Sequence, residues 1–111
     1  MNFDQFRKYC FTKKGVVEEF PFGKNNPVYK VGGKIFAITS FALPVSVNLK
    51  CDPELAVELR ERHEEVEPGY HMNKKHWNTV DFNGRLSDTE LKKMIDHSYD
   101  LIVKGLGKKI I

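Results

Sequence analysis

One thirteen-residue segment gathers most of the side chains in this chain that could recognise a ligand. It starts with a Pro-Gly turn and reads PGYHMNKKHWNTV over residues 68–80. It contains the only tryptophan, two of the four histidines and a lysine pair: Trp77, His71, His76, Lys74 and Lys75. A polar group buried without a partner costs about 1–3 kcal/mol, so these side chains are predicted to lie at the surface. There the ammonium groups could contact phosphates, and the indole could stack on a base, a sugar or a partner's side chain.

Histidines and cysteines are the other groups that could do chemistry. His71 and His76 could meet as metal ligands, but no third ligand lies beside them in the sequence, and a zinc site takes three or four. Cys51 ends an alternating apolar run, which predicts a buried thiol rather than a nucleophile. The Gly-Gly pair at 32–33 leads into a strand, unlike a phosphate loop. We therefore expect no catalytic residues, no metal and no cofactor. An enzyme using His71 or His76 as its acid and base stays open as a second alternative.

Charge is distributed unevenly along the 111 residues, whose net charge is +3. Residues 1–40 carry seven Lys or Arg against three Asp or Glu, residues 41–72 carry three against seven, and residues 73–111 carry eight against five. An acidic element is thus set within a basic chain. A basic face attracts phosphates over long distances. Alternatively, the acidic element is simply a helix with a well-solvated outer face.

Local patterns predict the elements that position these residues. Asn2 can cap a first helix in a capping box with Gln5, and Gly15 ends it. Four strand-like runs follow, at residues 16–22, 28–31, 34–41 and 45–51, and the pair at 32–33 predicts a hairpin turn.

The second half of the chain predicts two more helices and one more strand. Asp52-Pro53 begins the second helix, which Pro68-Gly69 ends. Its inner stripe is predicted to be Leu55, Ala56, Leu59 and Val66. A fifth strand covers residues 77–82, followed by a type I′ turn at Asn83-Gly84. A capping box, Ser87 with Glu90, begins the last helix, whose apolar residues recur at spacings of three and four.

The resulting order is α-β-β-β-β-α-β-α, a single α+β domain over residues 1–111. In the run 45–51, apolar and polar residues alternate, which is typical of an antiparallel sheet covered by helices on one face. Period two in the fifth strand turns Trp77 away from the core, onto the polar side that carries Lys50. Alternatively, Trp77 packs over the hairpin and exposes only its N–H.

Several blocks of the chain resemble the MmcQ/YjbR family of small bacterial proteins. They are EFPFG at 19–23, VYKVGGKIFA at 28–37, LKCDPE at 49–54, the segment 68–80 and SYDLI at 98–102. The resemblance covers nearly the whole chain and implies a frataxin-like fold with DNA binding through a double-wing motif. The comparison with frataxins does not extend to their iron-binding function, because the first helix here carries Asp4 against several cations.

The sequence and the resemblance together favour a small cytoplasmic DNA-binding protein. The expected nucleic-acid contacts are Lys30, Lys34, Lys50, Lys74, Lys75, His76, Trp77 and Arg85. Phosphate contacts without a recognition helix predict weak, salt-sensitive binding. The alternative is a non-enzymatic module that binds a protein or a small anion at the Trp77 face. We expect a monomer or a weak dimer and no membrane partner, since no apolar run approaches the ~20 residues that span a bilayer.

Overall fold

Six strands of this chain pair into one antiparallel sheet in the computed structural model, which describes residues 1–107. The strands are β1 (Val17–Glu19), β2 (Val28–Val31), β3 (Lys34–Ser40), β4 (Ser46–Lys50), β5 (Val66–Pro68) and β6 (Trp77–Asp81). Their order across the sheet is β1-β2-β3-β4-β6-β5. The α+β class and the antiparallel sheet are confirmed, with six strands instead of about five.

Three helices cover one face of the sheet: α1 (Phe3–Phe11), α2 (Pro53–Arg62) and α3 (Asp88–Leu106). Their predicted N-terminal caps are confirmed. The Asn2 side chain accepts from the Gln5 N–H at 2.8 Å, and Gln5 returns the bond to the Asn2 N–H at 2.9 Å. Asp52 caps α2, and Ser87 caps α3. None of the helices in residues 1–107 has the length and apolar character needed to cross a membrane.

The core lies between the helices and the covered face of the sheet. Phe6 of α1, Ala56 of α2 and Ile95 of α3 are all fully buried there. Ser98 fastens α3 to two strands, because its hydroxyl donates to the Phe36 carbonyl at 2.6 Å and accepts from the Lys50 N–H at 2.9 Å. The opposite face carries no helix in the described residues and is called the open face below.

Most strand limits agree with the sequence prediction to within one residue. The Gly32-Gly33 turn has φ values of 58° and 79°, as the predicted hairpin requires. β1 is shorter than the predicted run 16–22 and ends at Glu19. Pro21 follows two residues later, and proline cannot donate to a strand ladder.

The predicted extent of the second helix was wrong. α2 ends at Arg62, and His63 is already extended with φ −131° and ψ 122°. Val66 does not belong to a helical stripe: it pairs with Val80 across β5 and β6 and is 3% exposed. The run 63–65 (HEE) carries no apolar residue that could hold another helical turn onto the core.

The predicted type I′ turn at Asn83-Gly84 was also wrong. Neither residue has the positive φ that this turn requires. The Asp81 carboxylate instead accepts the Asn83 N–H at 2.7 Å. A Cβ at Gly84 would lie 2.0 Å from the Cγ of Glu65, so the Glu65 side chain would have to move if Gly84 were replaced.

Glu18 of β1 links the first helix to the sheet. Its carboxylate accepts from Arg7 Nε at 2.8 Å and from the Tyr29 hydroxyl at 2.7 Å. The bond from Arg7 is the main reason that the pKa of Glu18 lies below its ordinary value of 4.5. The charged form of Glu18 therefore stabilises the folded protein.

Replacing Glu18 with glutamine should lower the free energy of unfolding by about 1 kcal/mol at neutral pH. Because the folded pKa is depressed, this contribution is fully present above pH 4.5 and is lost as the pH falls through the folded pKa. Urea unfolding of both proteins at a series of pH values measures the difference. A difference that stays constant down to about pH 3 would contradict the assignment.

Candidate nucleic-acid interface

The predicted lysines collect at one end of the sheet, called the basic end here. It is the end where β2 and β4 finish and where β3 and β6 begin. Lys30 and Lys34 flank the Gly32-Gly33 turn, and Lys50 is the last residue of β4. The loop 69–76, which leads into β6, brings the remaining members to the same end: Lys74, Lys75 and His76.

Trp77 is the first residue of β6, which is next to the edge strand β5. It pairs directly with Lys50 across β4 and β6, so both side chains point to the open face. The neighbouring residues Asn78 and Leu49 point to the core and are 3% and 2% exposed. Trp77 itself is partly exposed. The indole of Trp77 and the ammonium group of Lys50 therefore lie next to each other on the open face.

Arg60 of α2 holds the loop 69–76 from below. Its Nε donates to Asn78 Oδ1 at 2.7 Å, and its guanidinium also donates to the carbonyl oxygens of Lys74 and Trp77. A planar guanidinium suits such a fork of acceptors. One side chain therefore ties α2 to both the loop and the start of β6.

Further hydrogen bonds fix the loop at its two ends. The Gly69 N–H donates to the Trp77 carbonyl at 2.8 Å, and the Cys51 N–H donates to the His76 carbonyl at 2.7 Å. Asn73 Oδ1 accepts from the N–H groups of Lys75, at 2.9 Å, and His76, at 3.3 Å. The backbone that presents the Lys75 and His76 side chains is thus held in place before any ligand arrives.

The lysines differ in how free their ammonium groups are. Lys30 forms an ion pair with Glu19 at 2.7 Å, and Lys74 Nζ donates to the Gly69 carbonyl at 3.1 Å. Within residues 1–107, no carboxylate lies within ion-pair distance of Lys34, Lys50 or Lys75. These three cations can neutralise a phosphate without first breaking an ion pair.

Arg85 is the one predicted contact that lies elsewhere. It follows β6 at the opposite end of the sheet, and its backbone N–H donates to Glu65 Oε2 at 2.8 Å. That bond is the largest reason that the pKa of Glu65 is lowered. Arg85 is therefore separated from the basic end and adjoins carboxylates.

Away from the basic end, the charged side chains that line a groove on the open face are all acidic. This groove of about 680 Å³ is lined by Tyr70, His71 and Met72 of the loop and by four acidic residues: Glu64, Glu65, Glu67 and Asp81. No Lys or Arg of the described residues lines it. A polyanion would be repelled from this groove, so only the basic end of the open face suits a phosphate backbone.

The candidate catalytic groups do not converge. His71 lines the acidic groove with φ +59°, whereas His76 is exposed at the basic end and lines neither the groove nor the cavity described below. Burial raises the pKa of the Cys51 thiol to about 11 and that of Cys10 to about 12, so both stay protonated at neutral pH. Within residues 1–107, no group of three His, Cys, Asp or Glu is placed to hold a metal ion.

A family model described as YjbR matches residues 11–101. The chain belongs to the YjbR family. YbdF of Escherichia coli O157:H7 is 41% identical over 91 residues, which are 81% of this chain and 75% of YbdF. YjbR of Escherichia coli K12 is 34% identical over 110 residues, which are 98% of this chain and 93% of that protein. The family resemblance derived from the sequence blocks is confirmed.

Solved structures share the YjbR fold. A crystal structure of a Deinococcus radiodurans protein, described as a DUF419 domain, superposes with a TM-score of 0.88 at 37% identity and covers 96% of this chain and 81% of that one. A crystal structure of a Pseudomonas syringae protein superposes with a TM-score of 0.82 at 30% identity, covering 93% of this chain and 100% of that one.

In this YjbR-family chain, the sequence interpretation missed the residues that support the loop. Neither Arg60 nor Asn78 is among the contacts predicted from the sequence. A signal for Arg60 exists, because it follows the buried Ala56 by four residues and so lies one turn further along the same side of α2. For Asn78, the signal is a polar residue at an inward strand position, which needs a partner.

Proposed function

We propose that this protein binds the phosphate backbone of DNA through the basic end of its sheet, without catalysing a reaction. The observation that carries the proposal is the Lys50–Trp77 pair beside the fixed loop that displays Lys75 and His76. Free ammonium groups supply sequence-independent attraction to phosphates, and an exposed aromatic edge adds stacking on a base or sugar. A cytoplasmic location belongs to the proposal.

The geometry also indicates how a duplex would be approached. The Gly32-Gly33 hairpin and the loop 69–76 lie at the same end of the sheet, as two projections that could contact neighbouring phosphates. Both projections are a turn and a loop between strands, not a recognition helix. Contacts of this kind position a protein on DNA without reading sequence.

Fluorescence anisotropy with a labelled duplex tests the proposal. If about five phosphates are neutralised, log K should fall with log salt at a slope of about −4 to −5 between roughly 50 and 200 mM. Lys50→Ala and Lys75→Ala should each weaken binding and make the slope shallower by about 1. Arg85→Ala removes the same charge at the acidic end and serves as the matched control, with a smaller effect.

Two results would contradict this proposal. One is the absence of binding at about 50 mM salt, where electrostatic attraction is strongest. The other is equal loss of affinity in the Lys75→Ala and Arg85→Ala variants, which would show that only net charge matters.

A smaller anionic ligand or a protein at the same surface is the alternative, favoured by the partial exposure of the single tryptophan. Trp77 emission and competition with DNA distinguish the two. Only under the alternative would a small polyphosphate, at an equal concentration of charge, change the emission and displace DNA. An emission that responds to neither ligand would contradict a role for Trp77 in both.

A further inference from the structure

A second candidate site lies on the helix-covered face of the sheet, and Lys50 of the basic end is one of the residues that line it. It is a partly open cavity of about 190 Å³ between α2 and α3, above β4 and β6. Its floor is apolar and consists of Leu49, Cys51, Leu55, Leu59, Val80 and Met94. An apolar cavity of about 150 Å³ is large enough to hold benzene, so this one can accept one ring or a short chain.

A buried amide in this cavity has hydrogen-bonding capacity to spare. Asn78 is 3% exposed and lines the cavity, and its Oδ1 is occupied by Arg60. Its Nδ2 carries two hydrogens, but its partner among the described residues is the Ala56 carbonyl at 3.5 Å, the outer limit of a hydrogen bond. The lining is thus apolar apart from its charged residues, His97 and one weakly bonded amide donor.

The charged residues that line the cavity are mostly cationic: Lys50, Arg62 and Lys93 stand against one carboxylate, Glu90. The side chains of Arg62 of α2 and Lys93 of α3 are 51% and 70% exposed. Each has a carboxylate near it only at long range: Glu58 at 3.5 Å from Arg62, and Glu90 at 3.9 Å from Lys93. Pairs this long and exposed contribute little, so both cations can turn to a ligand.

We propose that this cavity binds a small organic monocarboxylate whose apolar body is one ring or a chain of about six to eight carbons. The body would lie on the apolar floor, and the carboxylate would lie between Arg62 and Lys93. An apolar cavity with a few placed polar groups is the usual form of a small-molecule site. The proposed ligand would lie on the opposite face of the sheet from the Trp77 side chain, and Lys50 is the one residue that both proposed sites share.

Methionine methyl groups provide a direct test by NMR. Met94 lines this cavity, Met72 lines the acidic groove on the open face, and Met1 is the third methionine of the chain. The protein is labelled with 13C-methyl methionine, and the Met94 signal is assigned from its loss in the Met94→Leu variant. Three probes with the same phenyl ring and similar size are then titrated: phenylacetate, 2-phenylethanol and 2-phenylethylammonium. The Met94 signal should shift saturably, with phenylacetate at least about fivefold tighter than the alcohol and the ammonium compound weakest.

Variants distinguish the contribution of the charged residues at the mouth from that of the apolar floor. Arg62→Ala and Lys93→Ala should each weaken phenylacetate binding by about two- to fivefold and leave 2-phenylethanol unchanged. Lys104→Ala removes an exposed cation elsewhere on α3 and should change neither. Leu55→Phe, at a partly buried position on the cavity wall, should block all three probes while circular dichroism shows that the protein stays folded.

Three results would overturn the inference. The first is no Met94 shift with phenylacetate up to about 10 mM, since weaker binding than this would leave the cavity empty or hydrated. The second is an equal response to the three probes, which would show an apolar cavity without preference for an anion. The third is a shift of Met72 instead of Met94, which would place the binding in the groove on the open face.

Discussion

Replacing Arg60 with alanine is expected to lower the free energy of unfolding by about 2–3 kcal/mol and to release the loop that carries Lys75 and His76. The Arg60 guanidinium satisfies Asn78 Oδ1 at 2.7 Å, and Asn78 is 3% exposed. Without Arg60, this buried oxygen has no partner, and leaving a buried acceptor unsatisfied costs more than the hydrogen bond itself gains. The loss would be a large part of the roughly 5–15 kcal/mol that stabilises a domain of this kind.

Arg62→Ala is the matched control, because it removes the same side chain two residues further along the same helix. Arg62 is half exposed and lies 3.5 Å from Glu58, so its loss should change stability by less than about 0.5 kcal/mol. Arg60→Lys should recover little, since one ammonium group cannot reach the three acceptors that the planar fork reaches. Urea unfolding followed by Trp77 emission measures all three variants.

The same variants bear on DNA binding. Arg60 and Arg62 carry one charge each, so a purely electrostatic effect would be similar for both. If the fixed loop matters, Arg60→Ala should weaken DNA binding more than Arg62→Ala under conditions where both proteins are folded. Equal stability of the two variants would show that the hydrogen bonds of Arg60 do not hold the loop.

Charge segregation in the sequence is reproduced in three dimensions, although not by the element that was expected. One of the two interpretations of the acidic stretch 41–72 was a helix with a well-solvated outer face. Because that helix ends at Arg62, Glu64, Glu65 and Glu67 instead lie along the open-face groove. The lysines stay at the other end, so the open face has a positive and a negative half. Only the positive half suits a polyanion, which limits where DNA could lie.

The sequence predicted the elements whose pattern is local. In β4, the alternation places Val47 and Leu49 in the core, and the spacing in α3 buries Ile95 and Ile102 as expected. β5 was missed because three residues ending in proline carry too little periodicity to mark a strand, and only the pairing of Val66 with Val80 defines it.

The residues that hold the loop 69–76 in place could not be predicted either, because their contacts are not local in the sequence. Arg60 resembles any other charge on an exposed helix until α2 is docked above Asn78, eighteen residues away in the sequence. The residues of the site are visible in the sequence, whereas the contacts that fix them depend on long-range packing.

Gly69→Ala is expected to separate the two ends of the loop 69–76. Gly69 does not have a positive φ, so alanine would fit its backbone conformation. The obstacle is space: a Cβ would lie 2.8 Å from the Trp77 Cβ and 2.9 Å from the Trp77 carbonyl oxygen. Neither atom belongs to a flexible side-chain end, so the backbones must move apart and the 2.8 Å hydrogen bond from Gly69 to Trp77 must lengthen. Crowding of this kind costs about 1–3 kcal/mol.

Gly105→Ala is a control with the opposite expected sign. Gly105 lies within α3, has no atom within 4 Å of an added Cβ, and has no positive φ. Alanine there should leave stability unchanged or raise it by up to about 1 kcal/mol, because it reduces the entropy lost on helix formation. Thermal unfolding measures both variants, and Trp77 emission reports whether the indole has moved.

Lys74 gives a further consequence of the same change. Its Nζ donates to the Gly69 carbonyl at 3.1 Å, so separating Gly69 from Trp77 should also free this ammonium group. If order in the loop is what matters for DNA, Gly69→Ala weakens binding although every cation is retained. If the number of free cations decides, Gly69→Ala binds at least as tightly as the unchanged protein. The sign of this single comparison shows whether the loop acts through its shape or only through its charge.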